Sequence, residues 1–487
     1  MQALKFFWRC RKEQYASALS CVGVKGSPRT PQQLWAFHRI GAHRTVADAP
    51  VAFAGWRSAF AKAVAHAACG DAAAAQEAVT RFAAQRPPAA QHLRLAEALL
   101  PFMPEAALRL IEEQREVPAA LRVAAWLRCG RAQDAQRLLD ELPPALFAAQ
   151  PELHLLRTNA SAGAPAEQLG RLNAFLQAHG VPALRLRDVN QPPSPGNVMA
   201  GEPTQVAQGP LVSVVMTTYR TGARAVAAVE SVLAQSYRHL ELIVVDDASG
   251  DDTIERLQAL ALRDARLRLV SLPRNVGTYA AKLIGLTRAR GEFLTCHDSD
   301  DWSHPEKIAR QVAPLLADPR LVCTVSNWVR MSDDGSFYAR MVHPLTRLNP
   351  SSPLFRRERV LREAGAWDCV RTGADSEFLA RLKLVFGAKA VRKVGQPLTL
   401  GSHRPDSLMT ASATGYCEAG MSPQRLAYWE AWNRWHIETL ARRRKPFMPA
   451  DVRAAVRHRP FDVPESLRVP PEDVEACLEA ALPDAWV

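Results

Sequence analysis

The sequence predicts an α/β domain standing behind an all-helical half, and three observations carry that expectation. Up to about residue 188 the chain is rich in Ala, Leu, Arg and Gln, with apolar residues at helical spacing and few β-branched residues. After a Pro-rich stretch over 190–210 the composition switches to short β-branched runs. Those runs alternate with helix-like segments, the pattern of parallel βαβ units, because parallel neighbours must be joined by a long crossover.

Residues 1–50 read as a basic segment without an assigned fold. The start, MQALKFFWRCRKEQ, has an aromatic run cut short by Arg9, Arg11 and Lys12, too brief for a signal-peptide core. Residues 51–189 read as an all-α domain of helical hairpins. Cys69-Gly70-Asp71-Ala72 recurs as Cys129-Gly130-Arg131-Ala132, each followed by an Ala (Ala75, Ala135) and later by a Pro-Pro pair. Gly ends a helix, a small residue lets the next one pack closely, and Pro stops it. The repeat is similar, weakly, to tetratricopeptide hairpins, whose large aromatic positions are not clearly present; plain helical packing is the alternative. Residues 190–210 read as an exposed linker.

In the α/β part, 211–415, strands are expected at Leu211-Val212-Ser213-Val214-Val215-Met216, Leu240-Glu241-Leu242-Ile243-Val244-Val245, Phe293-Leu294-Thr295-Cys296 and Leu321-Val322-Cys323-Thr324-Val325. Open α/β sheets collect ligands beyond the carboxyl ends of their strands. Three of these runs end in polar residues: Thr217-Thr218-Tyr219, Asp246-Asp247-Ala248-Ser249, and His297-Asp298-Ser299-Asp300-Asp301-Trp302. Asp298 and Asp300 are spaced to share one hard divalent cation, Mn²⁺ or Mg²⁺, whose shell a phosphate-bearing ligand completes. An acidic turn capping the helix near Pro305-Glu306 is the plainer reading, a role expected of Asp301 or Ser303.

From 211 to about 410 the chain resembles a family 2 glycosyltransferase of the GT-A fold, a Rossmann-like nucleotide-diphospho-sugar transferase. The resemblance rests on VSVVMTTYR, SVLAQSY, ELIVVDDASGDDT, RNVGTYAAKLIGLTRARGEF, HDSDDW and GADSEFLARL, in that order. It implies metal-dependent, inverting transfer of a sugar from a nucleotide-sugar donor, with UDP indicated by the base-binding positions, to a glycan acceptor. Thr217 and Tyr219 match positions that hold the base, and Asp247 the carboxylate that hydrogen-bonds it, leaving Asp246 structural. Asp300 is the implied metal ligand, and Asp298 contacts ribose or a metal-bound water. Lys282 matches a basic residue facing the donor, or else is a solvated surface lysine. Asp375 takes the general-base position; the family usually has Glu before it, where this chain has Ala374. Glu377 is the second candidate for the base, or a helix-face partner of Arg381. His403 matches a third metal ligand or a phosphate donor, with an ordinary loop histidine as the alternative. Trp302 adjoins the acidic pair, where a ring can stack on sugar or simply pack in the core. Acceptor contacts are expected from a loop over 327–353.

Residues 416–487 read as a C-terminal helical extension. Tyr428, Trp429, Trp432 and Trp435 fall at helical spacing, as a packing face or an acceptor platform. The run Arg442-Arg443-Arg444-Lys445 is a solvated basic face or a contact for anionic lipid or charged polysaccharide. The second option sets the protein peripherally at the inner face of a membrane.

A formal net charge of +12 over 487 residues suits nucleic acid, an anionic membrane or an acidic substrate. No zinc finger, RNP motif or Gly-Lys phosphate loop is present, so a nucleic-acid partner is not expected. Nine cysteines, scattered without a CxxC pair, favour a reducing compartment. No stretch approaches the ~20 apolar residues of a membrane span, and a cytoplasmic chain is expected. A scaffold is the competing class: the helical half recruits a protein partner while the other half senses a nucleotide sugar without catalysis. Intact Asp247, Asp298, Asp300 and Asp375 weigh against it.

Overall fold

The structure is a computed structural model that describes all residues except 1, 24–26, 53, 202–207, 406, 408–414, 418–419 and 481–487. The end of the family resemblance near 410 and part of the expected linker therefore lie outside the described residues.

The helical half is built from hairpins. Trp56–Ala68 turns back on Ala72–Ala84, and Ala119–Arg128 on Ala132–Glu141. At both turns the glycine has a left-handed backbone, Gly70 at φ 83° and Gly130 at φ 75°, which a side chain disfavours. Asp71 caps the second helix of its hairpin, accepting from Ala74 N at 3.0 Å. Ala75 and Ala135 are fully buried at the close approach.

The first 50 residues form short helices, Gln2–Arg11, Tyr15–Leu19, Pro31–Arg39 and His43–Ala47. Their buried Leu19, Leu34, Phe37 and Val46 share a core with Ile437 of the helix Pro423–Ala441. Thr45 N donates to Glu430 Oε1 at 2.9 Å, and Trp429 Nε1 to Ile40 O at 2.8 Å. Tyr428, Trp432 and Trp435 of that helix are buried, so its aromatic face packs in the core.

The stretch expected as an exposed linker is partly folded. Leu184–Leu186 pairs antiparallel with Val198–Ala200. Asn197 Nδ2 donates to the carbonyls of Asp188, Gln191 and Pro192, a side-chain staple that fixes a turn.

The main sheet runs in the order Leu267–Ser271, Leu240–Asp246, Val212–Thr218, Phe293–Asp298, Leu354–Arg356, Cys323–Met331, Val391–Ser402, Trp302–Ser303. Its first four strands are parallel, and Leu354–Arg356 inserts antiparallel. Leu240–Asp246, Val212–Thr218 and Phe293–Asp298 are buried on both faces, as their continuous apolar runs require. Val212, Val214 and Met216 pack against helix Ala223–Leu233, while Val215, Ile243 and Val245 face helix Thr278–Leu286. The segment expected as an acceptor loop over 327–353 includes strand: Phe337–Tyr338 and Arg347–Leu348 both pair with Cys323–Met331. Val329, Met331, Phe337 and Leu400 share a core with Val123, Leu155 and Phe175 of the helical half. Among the described residues no helix is long and apolar enough to cross a membrane.

Gly285 sets how closely helix Thr278–Leu286 meets the sheet, since a Cβ there would lie 2.8 Å from Val215 Cγ1 and 2.9 Å from Val245 Cγ2. Gly285→Val overpacks that contact and is expected to cost about 1–3 kcal/mol, read as a lower urea midpoint at unchanged m-value.

Candidate active site

The strand ends bring together residues from distant parts of the chain. Asp298 closes the strand Phe293–Asp298, and its Oδ2 accepts from Ser351 Oγ at 2.6 Å. Helix Thr278–Leu286 begins behind Gly277 and carries Lys282 into the same place. Lys282 Nζ lies 3.8 Å from Asp298 Oδ1 and 3.7 Å from Asp375 Oδ1, with only 1% of its side chain exposed. The solvated-surface alternative for this lysine is thus excluded. Asp375 sits in the first turn of helix Ala374–Phe386, where Tyr279 Oη donates to its Oδ2 at 2.8 Å.

Burial lifts the Asp375 carboxyl above the usual carboxylate range, an effect Lys282 only partly offsets. Burial alone would lower the Lys282 ammonium, but Asp375 and Asp298 outweigh it and hold it well above its ordinary value. Asp298 is held below the usual range because Lys282 and Ser351 outweigh its own burial.

Glu377 goes elsewhere. Two residues on a helix are about 200° apart, so Glu377 points into the core while Asp375 faces Lys282. It pairs with Arg381 at 2.8 Å and with His436 Nε2 at 2.9 Å, fully buried. Against its burial, Arg381 draws its pKa down to about 2.

Asp300 Oδ2 accepts from Arg404 Nε at 3.1 Å and Nη2 at 2.9 Å. His403, the neighbour of Arg404, does not join the acidic pair. Its ring stacks on Tyr338 with centroids 3.7 Å apart and planes at 4°, because consecutive side chains of an extended segment point to opposite sides. Among the described residues no group of three or more His, Cys, Asp or Glu side chains is placed to hold a metal ion. Trp302 is corrected too: it is 3% exposed and packs in the core shared with the helical half, which leaves no open face for a sugar. Nor do Asp301 and Ser303 cap the next helix. Asp301 Oδ1 accepts from Ser402 N at 2.9 Å, and the N-terminus of Lys307–Ala317 is held by Gln235 Oε1, which accepts from Ile308 N at 3.0 Å.

The expected base-binding positions lie at the neighbouring strand ends. Thr217 Oγ1 is 2.7 Å from Thr278 Oγ1. Tyr219 is 44% exposed, with the Arg220 guanidinium 5.1 Å from its ring centroid. Asp247 accepts from Val276 N at 2.7 Å and Gly277 N at 2.8 Å, and burial lifts it to about 6 despite those bonds. Asp246 binds its own turn through Ser249 N at 3.1 Å. Sequence reasoning missed Tyr279, Ser351 and Arg404. Tyr279 had a signal, lying three residues before Lys282 on one helix face; Ser351 had none.

The carboxylates of Asp298 and Asp375 are thus gathered past the ends of the parallel strands around Lys282. Residues 213–374 match the family model "Glycosyl transferase family 2", and that segment is a glycosyltransferase family 2 domain. The chain is 35% identical over 127 residues to an uncharacterized glycosyltransferase of Haemophilus influenzae, covering 26% of this chain and 50% of that protein. To the putative teichuronic acid biosynthesis glycosyltransferase TuaG of Bacillus subtilis it is 33% identical over 134 residues, 28% of this chain and 53% of that one. The matches thus span about half the length of these relatives. Among solved structures, S. aureus TarS 1-349 in complex with UDP-GlcNAc aligns at 16% identity and TM-score 0.37, over 50% of this chain and 70% of that one.

Replacing Lys282 by Met leaves Asp298 and Asp375 facing one another without their cation. The expected loss is about 3 kcal/mol, the lower end for breaking a buried pair, because Asp298 keeps 35% of its side chain exposed. Denaturant unfolding of Lys282→Met beside Lys282→Arg checks it: the arginine variant should recover most of the loss.

Proposed function

We propose that the protein transfers a sugar from a UDP-sugar to a glycan acceptor with inversion, in the synthesis of a surface polysaccharide. The observation that carries this reading is Asp375 held at the strand ends by Lys282 and Tyr279, facing the Asp298 and Asp300 turn. A carboxylate lifted by burial is the stronger proton acceptor at neutral pH. In this reading Asp375 takes the proton of the acceptor hydroxyl as that oxygen bonds to the anomeric carbon. The bond from that carbon to the diphosphate breaks, and UDP leaves with the electron pair. Tyr279 and Lys282 keep Asp375 aimed, and Arg404 stands ready for the diphosphate once Asp300 is shared. Thr217, Tyr219 and Asp247 support the choice of a uridine base through the family resemblance, and the relative named for teichuronic acid biosynthesis supports the polysaccharide class.

The donor set suits Mn²⁺ or Mg²⁺: among the described residues the hydrogen bonds of Asp300 fall on one oxygen, and carboxylates with diphosphate oxygens make a hard, all-oxygen shell. Asp300 would hold the ion, with Asp298 supporting it, and bound there it would neutralise charge on the departing diphosphate.

Asp375→Asn should lower kcat by about 10²–10⁴-fold with UDP affinity unchanged, whereas Glu377→Gln should mainly destabilise the fold. Product mass spectrometry over a panel of UDP-sugars and glycan acceptors measures the transfer. An Asp375→Asn enzyme that transfers at the wild-type rate overturns the assignment, and UDP binding without turnover on any pairing returns the scaffold reading. The acid limb of kcat/KM should fall above the ordinary carboxylate range, since Asp375 is lost as a base when pH drops through its raised value. EDTA should abolish transfer and excess Mn²⁺ restore it.

A further inference from the structure

The helix Gln2–Arg11 is held to the body along one side. Phe6 is buried in the core it shares with Leu19, Leu34 and Ile437, and Arg9 Nη1 donates to Ser17 O at 2.5 Å. The opposite side is bare: Leu4 is 77% exposed, Phe7 50% and Trp8 56%. Three and four residues apart on a helix, these side chains share one face. Large apolar groups gathered on an outer face mark a contact surface.

The charge around this face has one sign. Residues 2–12 include Lys5, Arg9, Arg11 and Lys12 and no Asp or Glu. Lys5, Arg11 and Lys12 are exposed, and among the described residues no carboxylate pairs with them. Glu13, the next residue along, lies 3.6 Å from Arg39 Nη2. Lys12 Nζ stands 3.6 Å from the centre of the Trp8 ring, so the ammonium already rides on the aromatic part of the face. Positive charge continues nearby, since Ile437, in the same core as Phe6, is soon followed by the exposed Arg442, Arg443 and Arg444.

An apolar face edged with lysine and arginine matches an anionic bilayer, where the apolar groups enter the headgroup boundary and the charged heads stay at the phosphates. The positive rim sets such a surface apart from an apolar protein groove. At ten residues the helix is about 15 Å long, half of the ~30 Å hydrocarbon thickness, so it would lie along the surface and not cross it. We propose that helix Gln2–Arg11 docks the protein on an anionic membrane surface, with Leu4, Phe7 and Trp8 inserted and Lys5, Arg11 and Lys12 at the lipid phosphates. The proposal stands on this helix and is independent of the transferase reading.

Co-sedimentation of the full chain with vesicles tests it, using phosphatidylcholine alone and phosphatidylcholine mixed with phosphatidylglycerol. With three basic residues each worth about fivefold, the mixed vesicles should bind at least about tenfold more tightly. Phe7→Ser combined with Trp8→Ser leaves the net charge unchanged and should weaken binding to the mixed vesicles by at least about tenfold, while Lys5→Gln should weaken it about fivefold. These side chains are exposed, so circular dichroism should be unchanged in each variant. Trp8→Phe should keep vesicle binding and lose the quenching of tryptophan fluorescence that brominated lipid causes in the wild type. Absence of binding to the mixed vesicles, a preference for them below tenfold, a double variant that binds as the wild type does, or quenching that survives Trp8→Phe overturns the proposal. A dimer that the double variant dissolves in light scattering, without vesicle binding, also overturns it and assigns the face to a second copy of the chain.

Discussion

A buried ammonium ties the sheet half together. Lys282 joins Asp298, at the end of a central strand, to Asp375, in the first turn of a helix nearly a hundred residues further on. An unpaired charge at such depth is strongly disfavoured, so the three groups are stable there only as a set. That demand fixes the rotation of helix Thr278–Leu286 on the sheet and the docking of helix Ala374–Phe386. Gly285 serves the same end from below by letting the first of these helices sit low enough on Val215 and Val245 for Lys282 to reach both carboxylates.

The second structural theme is the interlocking of the two halves. The strand Val391–Ser402 is exposed at Arg392 and Lys393 but buried over its second half, where it contributes Leu398 and Leu400 to a core completed by Val123, Leu155 and Phe175. Trp302 belongs to that core. Its place beside the acidic turn comes from a chain reversal that pairs Trp302–Ser303 antiparallel with Thr399 and Leu400. The helical half is therefore part of the wall that shapes the far end of the sheet.

Much of this was legible in the sequence, for identifiable reasons. Strands such as Val212–Thr218 and Leu240–Asp246 are buried on both faces, which forces near-continuous apolar runs, and a polar residue directly after such a run stands at the ligand-facing edge. Asp298 and Asp300 came from that logic, and Asp375, which follows no strand, came from the family likeness alone. Less regular features were hidden. Leu267–Ser271 is broken by Arg268 and is too short to stand out. His403 was singled out by the family likeness and its neighbour Arg404 was not considered, yet a one-residue step in extended chain reverses the side a residue faces. Ser351 reaches Asp298 from a segment whose course depends on tertiary pairing. The short helices before residue 50 fold against a helix from the far end of the chain, and no local pattern announces such a partner.

That last pairing has a consequence for how the molecule is made. Thr45 and Glu430 are separated by 385 residues, so at about 5–20 residues per second the early helices wait about 20–80 s on the ribosome before their partner is synthesised. Throughout that interval Leu34, Phe37 and Val46 lack the Ile437 side of their core. Over that interval those side chains are apolar surface without their native cover, the condition in which a growing chain is most prone to associate with others.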